Sequence, residues 1–556
     1  MFDQRRKLKP EESLASGVMN RVQRAWSLSP FYQMQLDGPA PDRMSHRPAD
    51  PYSRDAEIGR ALLGGVLTLG AEKFDFEGEL ENMWPAADRN PALFAFMHEF
   101  QWLKHLSAVG ADAKGAAQKL ARQWFDEQAR VSPTVWEPYR TSERLINLCS
   151  FGAFILADGD ALWRSQVLSS MARQVRHLAI TCHQAPSSYE RLKASISLCI
   201  AALCLPGCEA VVEKGSEMVR REVRLQIRAD GGHISRNPSR QLELVVRLKM
   251  FAEALQARHI EKPAFLKHIV RRSASYLQLF RTGDGRLAIF NGGYEDDSAA
   301  LASVACDAEG DAEFASFARD SGFQRLESGR GVLVVDVGAS SGKSVAGRPY
   351  ESGASFHFSS GRGRIITNCG AGAHLGGDWS CAMRQAAAHS TLSSSSSALT
   401  ASLLRKCHAT HRRGEDRRGQ LLEVSRSFEV AGATGPVTHV RRFFLEARGD
   451  DMRGEDFLSA ALLSLDTDWK LRFHLHPGVR ASLARDGKSV ILALSNKEGW
   501  RFRTNASNIY LEKSIYCGER GLPAANEQIV IAPDVRAGEG AGNVIVKWGI
   551  NRMEGL

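Results

Sequence analysis

WKLRFHLHPGVRASLARDGKSVILALSN (Trp469–Asn496) alternates apolar and polar residues through runs that flank an Asp-Gly pair. A period of two lets one face of each run enter a core, and Asp-Gly is a tight-turn pair, so "ARDGKS" reads as a hairpin. The same texture extends on both sides of it. "GVLVVDVG", "SFHFSSGRGRIITNCG", "QLLEVSRSFEV", "VTHVRRFFLEARGDDMRGEDFLS", "GWRFRTN" and "NIYLEKSIYCG" are short alternating runs split by Gly, Asn and Asp. Many short strands with no helices between them predict an antiparallel β-sandwich over residues 286–556.

Residues 1–285 carry a different period. "ALFAFMHEFQWLKHLSAVG" (Ala92–Gly110) spaces its apolar residues by three and four and stops at a glycine. Seven further helix-sized segments follow, from "AKGAAQKLARQWFDEQAR" to "PAFLKHIVRRSASYLQLF", with short Gly, Pro and Asp breaks. Consecutive helices of this kind pair into antiparallel hairpins, as a solenoid or as a closed α/α toroid. No fixed repeat of the tetratricopeptide or HEAT type is present, which favours the ring. The expected fold is therefore α+β and multidomain, an N-terminal α/α toroid followed by a C-terminal antiparallel β-sandwich, with a cleft between the two.

A length of 556 residues requires more than one core, and 43% hydrophobic with 24% charged residues is globular composition. The net charge of +9 is modest for that length. Its local concentration, "HRRGEDRRG" (His411–Gly419), reads as a solvated loop, and the serine tract Ser393–Ser397 reads as a loop as well. No zinc-finger, helix-turn-helix or RNP-like motif accompanies the arginines, so a nucleic-acid partner is not expected. "GASSGKS" (Gly338–Ser344) lacks the glycine spacing of a phosphate loop and lies among strands, which excludes a nucleotide site. Ten cysteines without zinc spacing read as buried free thiols of a reducing compartment. No apolar stretch follows the basic N-terminus and none is long enough to span a bilayer. A cytoplasmic location without membrane insertion is the expectation, with periplasmic or leaderless export as the alternative.

The order of several landmarks resembles that of the heparinase II/III-like polysaccharide lyases. They are "RAWSLSPFYQMQLDGPAPDRM", "FMHEFQWLKHLSAVG", "WEPYRTSERLINL", "DGGHISRNPS", "MRQAAAHSTL", "RGEDFLS" and "RFHLHPGV", and they span nearly the whole chain. The resemblance implies the toroid-plus-sandwich fold and β-elimination on a uronic-acid poly- or oligosaccharide. That reaction needs a neutralised carboxylate, a base for the C5 proton and an acid for the leaving oxygen, roles suited to Arg or Asn, His and Tyr. It implies His233 in the cleft with Arg236 and Asn237 at the uronate, and His389 contributed by the sandwich. The sequence departs from the family pattern in two places. Ser239, Arg240 and Gln241 stand where a catalytic tyrosine usually follows the proline, and "SSYERLKASISL" offers Tyr189, Glu190 and Arg191 in place of an Asn-His pair.

The catalytic candidates are therefore His233, Tyr189, His389 and Tyr139, and the substrate-binding candidates are Arg236, Asn237, Arg140, Arg240, Glu190, Asn291 and Tyr294. For the "GGHISRNPS" stretch the competing structural reading is a helix-capping turn, with Asn237 as the cap before Pro238 and the arginines in water. His474 and His476 alternate along one strand, so both face one side, and with His389 they form a candidate structural zinc or calcium site in the sandwich. No other cofactor is expected. An acidic polysaccharide or oligosaccharide is the expected partner and a homodimer the expected assembly. The competing functional class is a non-catalytic or biosynthesis-associated polysaccharide-binding protein that keeps the lyase fold.

Overall fold

A computed structural model describes the chain except residues 1–25, 27–28, 71, 129–130, 158–159, 309–315, 340–348, 373–374, 377, 397–406, 431–434, 467, 522, 534–541 and 554–556. The basic N-terminus, most of "GASSGKS" and the end of the serine tract lie outside the described residues.

Helices occupy the first half, and three begin by one local rule. Asn90, Glu137 and Asn237 each precede a proline, and each side chain accepts hydrogen bonds from the first free N–H groups of its helix. Proline needs no hydrogen bond at that position, and the oxygen before it satisfies donors that would otherwise be stranded. These caps start the helices Pro91–His98, Pro138–Phe151 and Pro238–Ala257. Ser187 and Glu190 form a reciprocal capping box at the start of Ser188–Cys204. Every residue of that helix from Leu192 to Cys204 is buried. A helix apolar all round belongs inside, and this one packs on Pro138–Phe151, Ala210–Gln226 and Pro238–Ala257.

The Ala92–Gly110 stretch is not one helix. It breaks between Pro91–His98 and Gln101–Val109, where Phe100 takes a left-handed conformation with φ of 59°. The Phe100 ring is fully buried against Trp102, Trp124 and Phe125, so tertiary aromatic packing holds a backbone that periodicity does not foresee.

The second half is antiparallel. After the small hairpin β1 (Val66–Leu69) and β2 (Glu72–Asp75), the strands are β3 (Phe317–Ala318), β4 (Phe323–Ser328), β5 (Gly331–Asp336), β6 (Phe356–Ser360), β7 (Gly363–Thr367) and β8 (Leu392–Ser393). They continue with β9 (Cys407–Asp416), β10 (Gly419–Phe428), β11 (Val437–Glu446), β12 (Asp451–Leu458), β13 (Lys470–Leu475) and β14 (Val479–Leu483). The last are β15 (Ser489–Leu494), β16 (Gly499–Thr504), β17 (Asn508–Tyr516), β18 (Ala524–Ala532) and β19 (Val544–Arg552). One sheet runs β14-β15-β16-β19-β12-β11-β10-β9 and the other β17-β18-β13-β7-β6-β5-β4-β3, with β8 beside β13. The expected hairpin is present, with Val479 opposite Leu494 and Leu483 opposite Val490. "HRRGEDRRG" is not a loop. It is the end of edge strand β9 and its turn into β10, its alternating charges solvated along the sheet edge.

Strand β5 is buried on both faces. Val332 and Val334 join the helical core, whereas Leu333 and Val335 join the core between the sheets. The nine-stranded sheet is thus a middle layer, and the helical and β halves share an apolar seam. A fully buried Arg441 crosses the sandwich interior, its guanidinium bound to Asp456, which also receives His439 and Trp548.

Candidate active site between toroid and sandwich

The opening between the halves is a cavity of about 610 Å³. Tyr139 and Glu143 stand on the first two turns of Pro138–Phe151, Tyr189 and Lys193 on those of Ser188–Cys204, and Glu243 and Arg247 one turn apart on Pro238–Ala257. Residues 50–55 close one side. Arg286, Glu295, Asp296 and Asp297 of the connector and Gly518 to Arg520 beyond β17 close the other.

Lys193 is the centre of this arrangement, only 4% exposed. Its ammonium donates to the Tyr139 hydroxyl at 3.1 Å and to Glu243 at 3.3 Å, and lies 3.4 Å from Glu143. Burial opposes its charge, but Glu143 and Glu243 more than offset that, so its pKa stands well above the ordinary lysine value. Glu143 also pairs with Arg247 at 2.8 Å, and Glu243 receives Arg520 at 3.1 Å and the Tyr189 hydroxyl. Burial raises Glu243, yet Lys193 and Arg520 hold it ionised well below the carboxylate range. Burial pushes the Tyr139 and Tyr189 phenols up, so both stay protonated. Asp296 adopts φ of 57°; one of its oxygens accepts from Arg520 at 3.1 Å, and the other, buried, has no hydrogen-bond partner. Burial raises its pKa.

The sequence candidates divide around this cavity. Tyr139 and Tyr189 belong to its charged network. Arg240 lies over the Tyr189 ring at 4.9 Å and Tyr294 under the Arg520 guanidinium at 4.7 Å, both at its margin. Glu190 is spent in the capping box, and Arg140 donates to the Thr134 carbonyl at 2.8 Å above the Phe94 ring, away from the lining.

His233 does not project into the cleft. It is 1% exposed, bonded to Ser235 Oγ at 2.7 Å and Gln226 Oε1 at 3.0 Å, and burial pushes its pKa down to about 3. Its link to the cavity is an edge contact with Tyr189, 5.7 Å between centroids. Asn237 is the helix cap, accepting from Ser239 N at 2.9 Å and Arg240 N at 3.1 Å, and its amide donates to the Asn291 carbonyl at 3.0 Å. The capping reading of this stretch therefore holds for Asn237, but Arg236 does not face water. It crosses to the sandwich, donating to the carbonyls of Ser321 at 2.7 Å and Gly322 at 3.1 Å and to the fully buried Asp336. Asn291 completes the junction, donating to the Arg236 carbonyl at 2.9 Å and accepting from Ser352 at 2.9 Å. The glycine pair fits the same joint: Gly231 has φ of 88°, and a Cβ there would sit 2.5 Å from the Arg272 carbonyl oxygen. Arg236 fixes the toroid to the sandwich, Asn237 ties it to the connector, and His233 holds the turn within the toroid.

The histidines proposed for metal do not form one ligand set. His474 uses both ring nitrogens, on Ser514 Oγ at 2.8 Å and the Ala387 carbonyl at 3.0 Å. His476 faces Glu295 at 3.1 Å and receives Gly478 N–H at 3.1 Å. His476 lies just past the end of β13, so the strand alternation that would align it with His474 has stopped. His389 is buried beside Tyr350, its ring nitrogens without hydrogen-bond partners. Among the described residues no group of three His, Cys, Asp or Glu side chains is placed to hold a metal ion. The described cysteines are all free, and no helix among the described residues is long and apolar enough to cross a membrane.

The chain is thus a helical ring seated on an antiparallel sandwich, with an ionisable cleft between them. Residues 311–548 match the heparinase II/III-like C-terminal domain. The structure is similar to heparan sulfate lyase HepC from Pedobacter heparinus, in a mutant form, with a TM-score of 0.60 at 15% identity over 98% of this chain and 92% of that one. It is also similar to heparinase III, with a TM-score of 0.62 at 15% identity over 83% and 77%. In sequence it is 27% identical, over 98% of its length and 96% of the other's, to FtsZ-localized protein C of Caulobacter vibrioides (strain NA1000 / CB15N).

Proposed function

We propose that this chain is a saccharide-binding protein that localises with FtsZ and holds its ligand in the toroid–sandwich cleft without eliminating it. The observation that carries this reading is the closed charge network around Lys193. Four of the five cations there (Lys193, Arg247, Arg286 and Arg520) already serve Glu143, Glu243, Glu295, Asp296 or Glu519. No histidine is among the lining residues, so no side chain there has its ordinary pKa near neutrality. The lining carries eight carboxylates against five cations, a balance that disfavours a polyanion and suits a neutral or amino-bearing sugar. The relative named for FtsZ localisation extends over nearly the whole of both chains, which supports a shared location.

The second reading is β-elimination on a uronate, and the Tyr139–Lys193 pair favours it. A protonated phenol beside an ammonium, in the cleft of a lyase fold, is a suitable acid for a leaving glycosidic oxygen. Calorimetric titration with neutral, amino-sugar and uronate oligosaccharides tests the first reading, alongside a fluorescent fusion imaged with labelled FtsZ. Binding of neutral or amino sugars that is lost in Arg520→Met, with the fusion at the FtsZ ring, supports it. Binding confined to uronates, or a diffuse fusion, contradicts it.

A further inference from the structure

On the other side of the connector lies a second depression, of about 780 Å³. Residues 281–285 line it, whereas Arg286 and residues 295–297 line the cleft, so one chain segment separates the two. Four arginines from four different places meet here. Arg281 follows the Ala264–Gln278 helix, Arg325 is on β4, Arg362 is in the β6–β7 turn and Arg413 is on edge strand β9.

Only two carboxylates share the lining, and both are taken. Asp284 is clasped by the buried Arg364 at 2.7 and 3.1 Å, and Glu327 receives Arg325 at 2.9 Å. Arg281, Arg362 and Arg413 are left with no carboxylate partner among the described residues. Arg413 is nevertheless held in place, donating to Gln420 Oε1 at 3.1 Å and the Arg325 carbonyl at 3.1 Å. Gln278, on the rim, has a buried amide nitrogen without a hydrogen-bond partner.

We infer that this groove binds the anionic groups of an acidic saccharide, outside the cleft. Guanidinium groups take carboxylate or sulfate oxygens through paired N–H donors, and a fixed guanidinium loses little freedom on doing so. Gln278, Ser316 and Gln420 supply neutral groups suited to sugar hydroxyls. No aromatic ring lines the groove, so it offers no platform for stacking a nucleobase. The inference does not depend on what the cleft holds.

The test is fluorescence anisotropy with a labelled oligogalacturonate at low salt. Arg281→Glu/Arg362→Glu should weaken binding by about tenfold or more, since two charge-assisted contacts are lost and repulsion is added. Arg281→Lys/Arg362→Lys should weaken it less. The control pair Arg220→Glu/Arg221→Glu on the Ala210–Gln226 helix, and the cleft variant Arg520→Met, should remain within about twofold of wild type. Unchanged thermal melting of the groove variants confirms folding, because Arg281 is half-buried and Arg362 exposed, so neither belongs to the core. The inference is overturned if wild type does not bind the probe, if the control pair weakens it equally, or if Arg520→Met alone abolishes it. It is also overturned if a labelled RNA or anionic vesicles displace the probe at much lower concentration.

Discussion

Lys193 donates to the Tyr139 hydroxyl across 3.1 Å, joining the second turn of one toroid helix to the first turn of another beside the cleft. That bond is part of a network in which each buried charge has an opposite partner. Lys193→Met should leave Glu143 and Glu243 facing each other with one cation fewer. Removing one partner of a buried pair costs about 3–5 kcal/mol. Chemical denaturation of the variant should show that loss, and Lys193→Met/Glu243→Gln should recover part of it.

Arg236→Lys keeps charge but loses the fork that reaches Ser321, Gly322 and Asp336 together. The expected result is a stability loss of about 2–4 kcal/mol with cleft binding intact, since Asp336 remains buried without its full set of donors. Asn237→Ala should cost about 1–2 kcal/mol through the lost cap. Urea unfolding and sugar titration on the same samples separate a structural from a binding role.

Much of the fold is legible in the sequence because periodicity and turn chemistry are local. "ARDGKS" makes its hairpin, and the Asn-Pro and Glu-Pro pairs start their helices, whatever surrounds them. Phe100 is illegible because only Trp102, Trp124 and Phe125, gathered by folding, hold its left-handed turn. The site is half legible. Tyr139 and Tyr189 stand out in the sequence as tyrosines offered where the family motif is unmatched, but Lys193 and Glu243 do not stand out, since each reads as an ordinary charge within a helix. The signal was present: Lys193 stands one turn before an uninterrupted apolar run, where a lysine must be buried and therefore paired.

Acid sensitivity should begin near pH 6.5. Burial holds His233, His357 and His474 at about 3 and His177 and His389 at about 4. Below the ordinary histidine pKa the unfolded chain takes up protons that the folded chain refuses. Stability is therefore full above about 6.5 and falls as pH drops toward 3–4. Glu295, held at about 2 by His476, Arg364 and Tyr516 against burial, adds a further loss below the ordinary carboxylate value of 4.5. Denaturation midpoints should stay level from pH 8 to about 6.5 and decline from there to pH 4, and His233→Gln should flatten the slope between 6.5 and 4. A flat wild-type profile down to pH 5 would contradict the burial of these rings as neutral groups.

The central claim is that the Lys193 network occupies the cleft in place of an elimination site. It is tested most directly by incubating the purified chain with a panel of uronate polymers and following the ultraviolet absorbance of unsaturated product. The account predicts no product from any polymer, for wild type and Tyr139→Phe alike. Steady product formation by wild type that disappears in Tyr139→Phe would contradict it and establish the chain as a lyase.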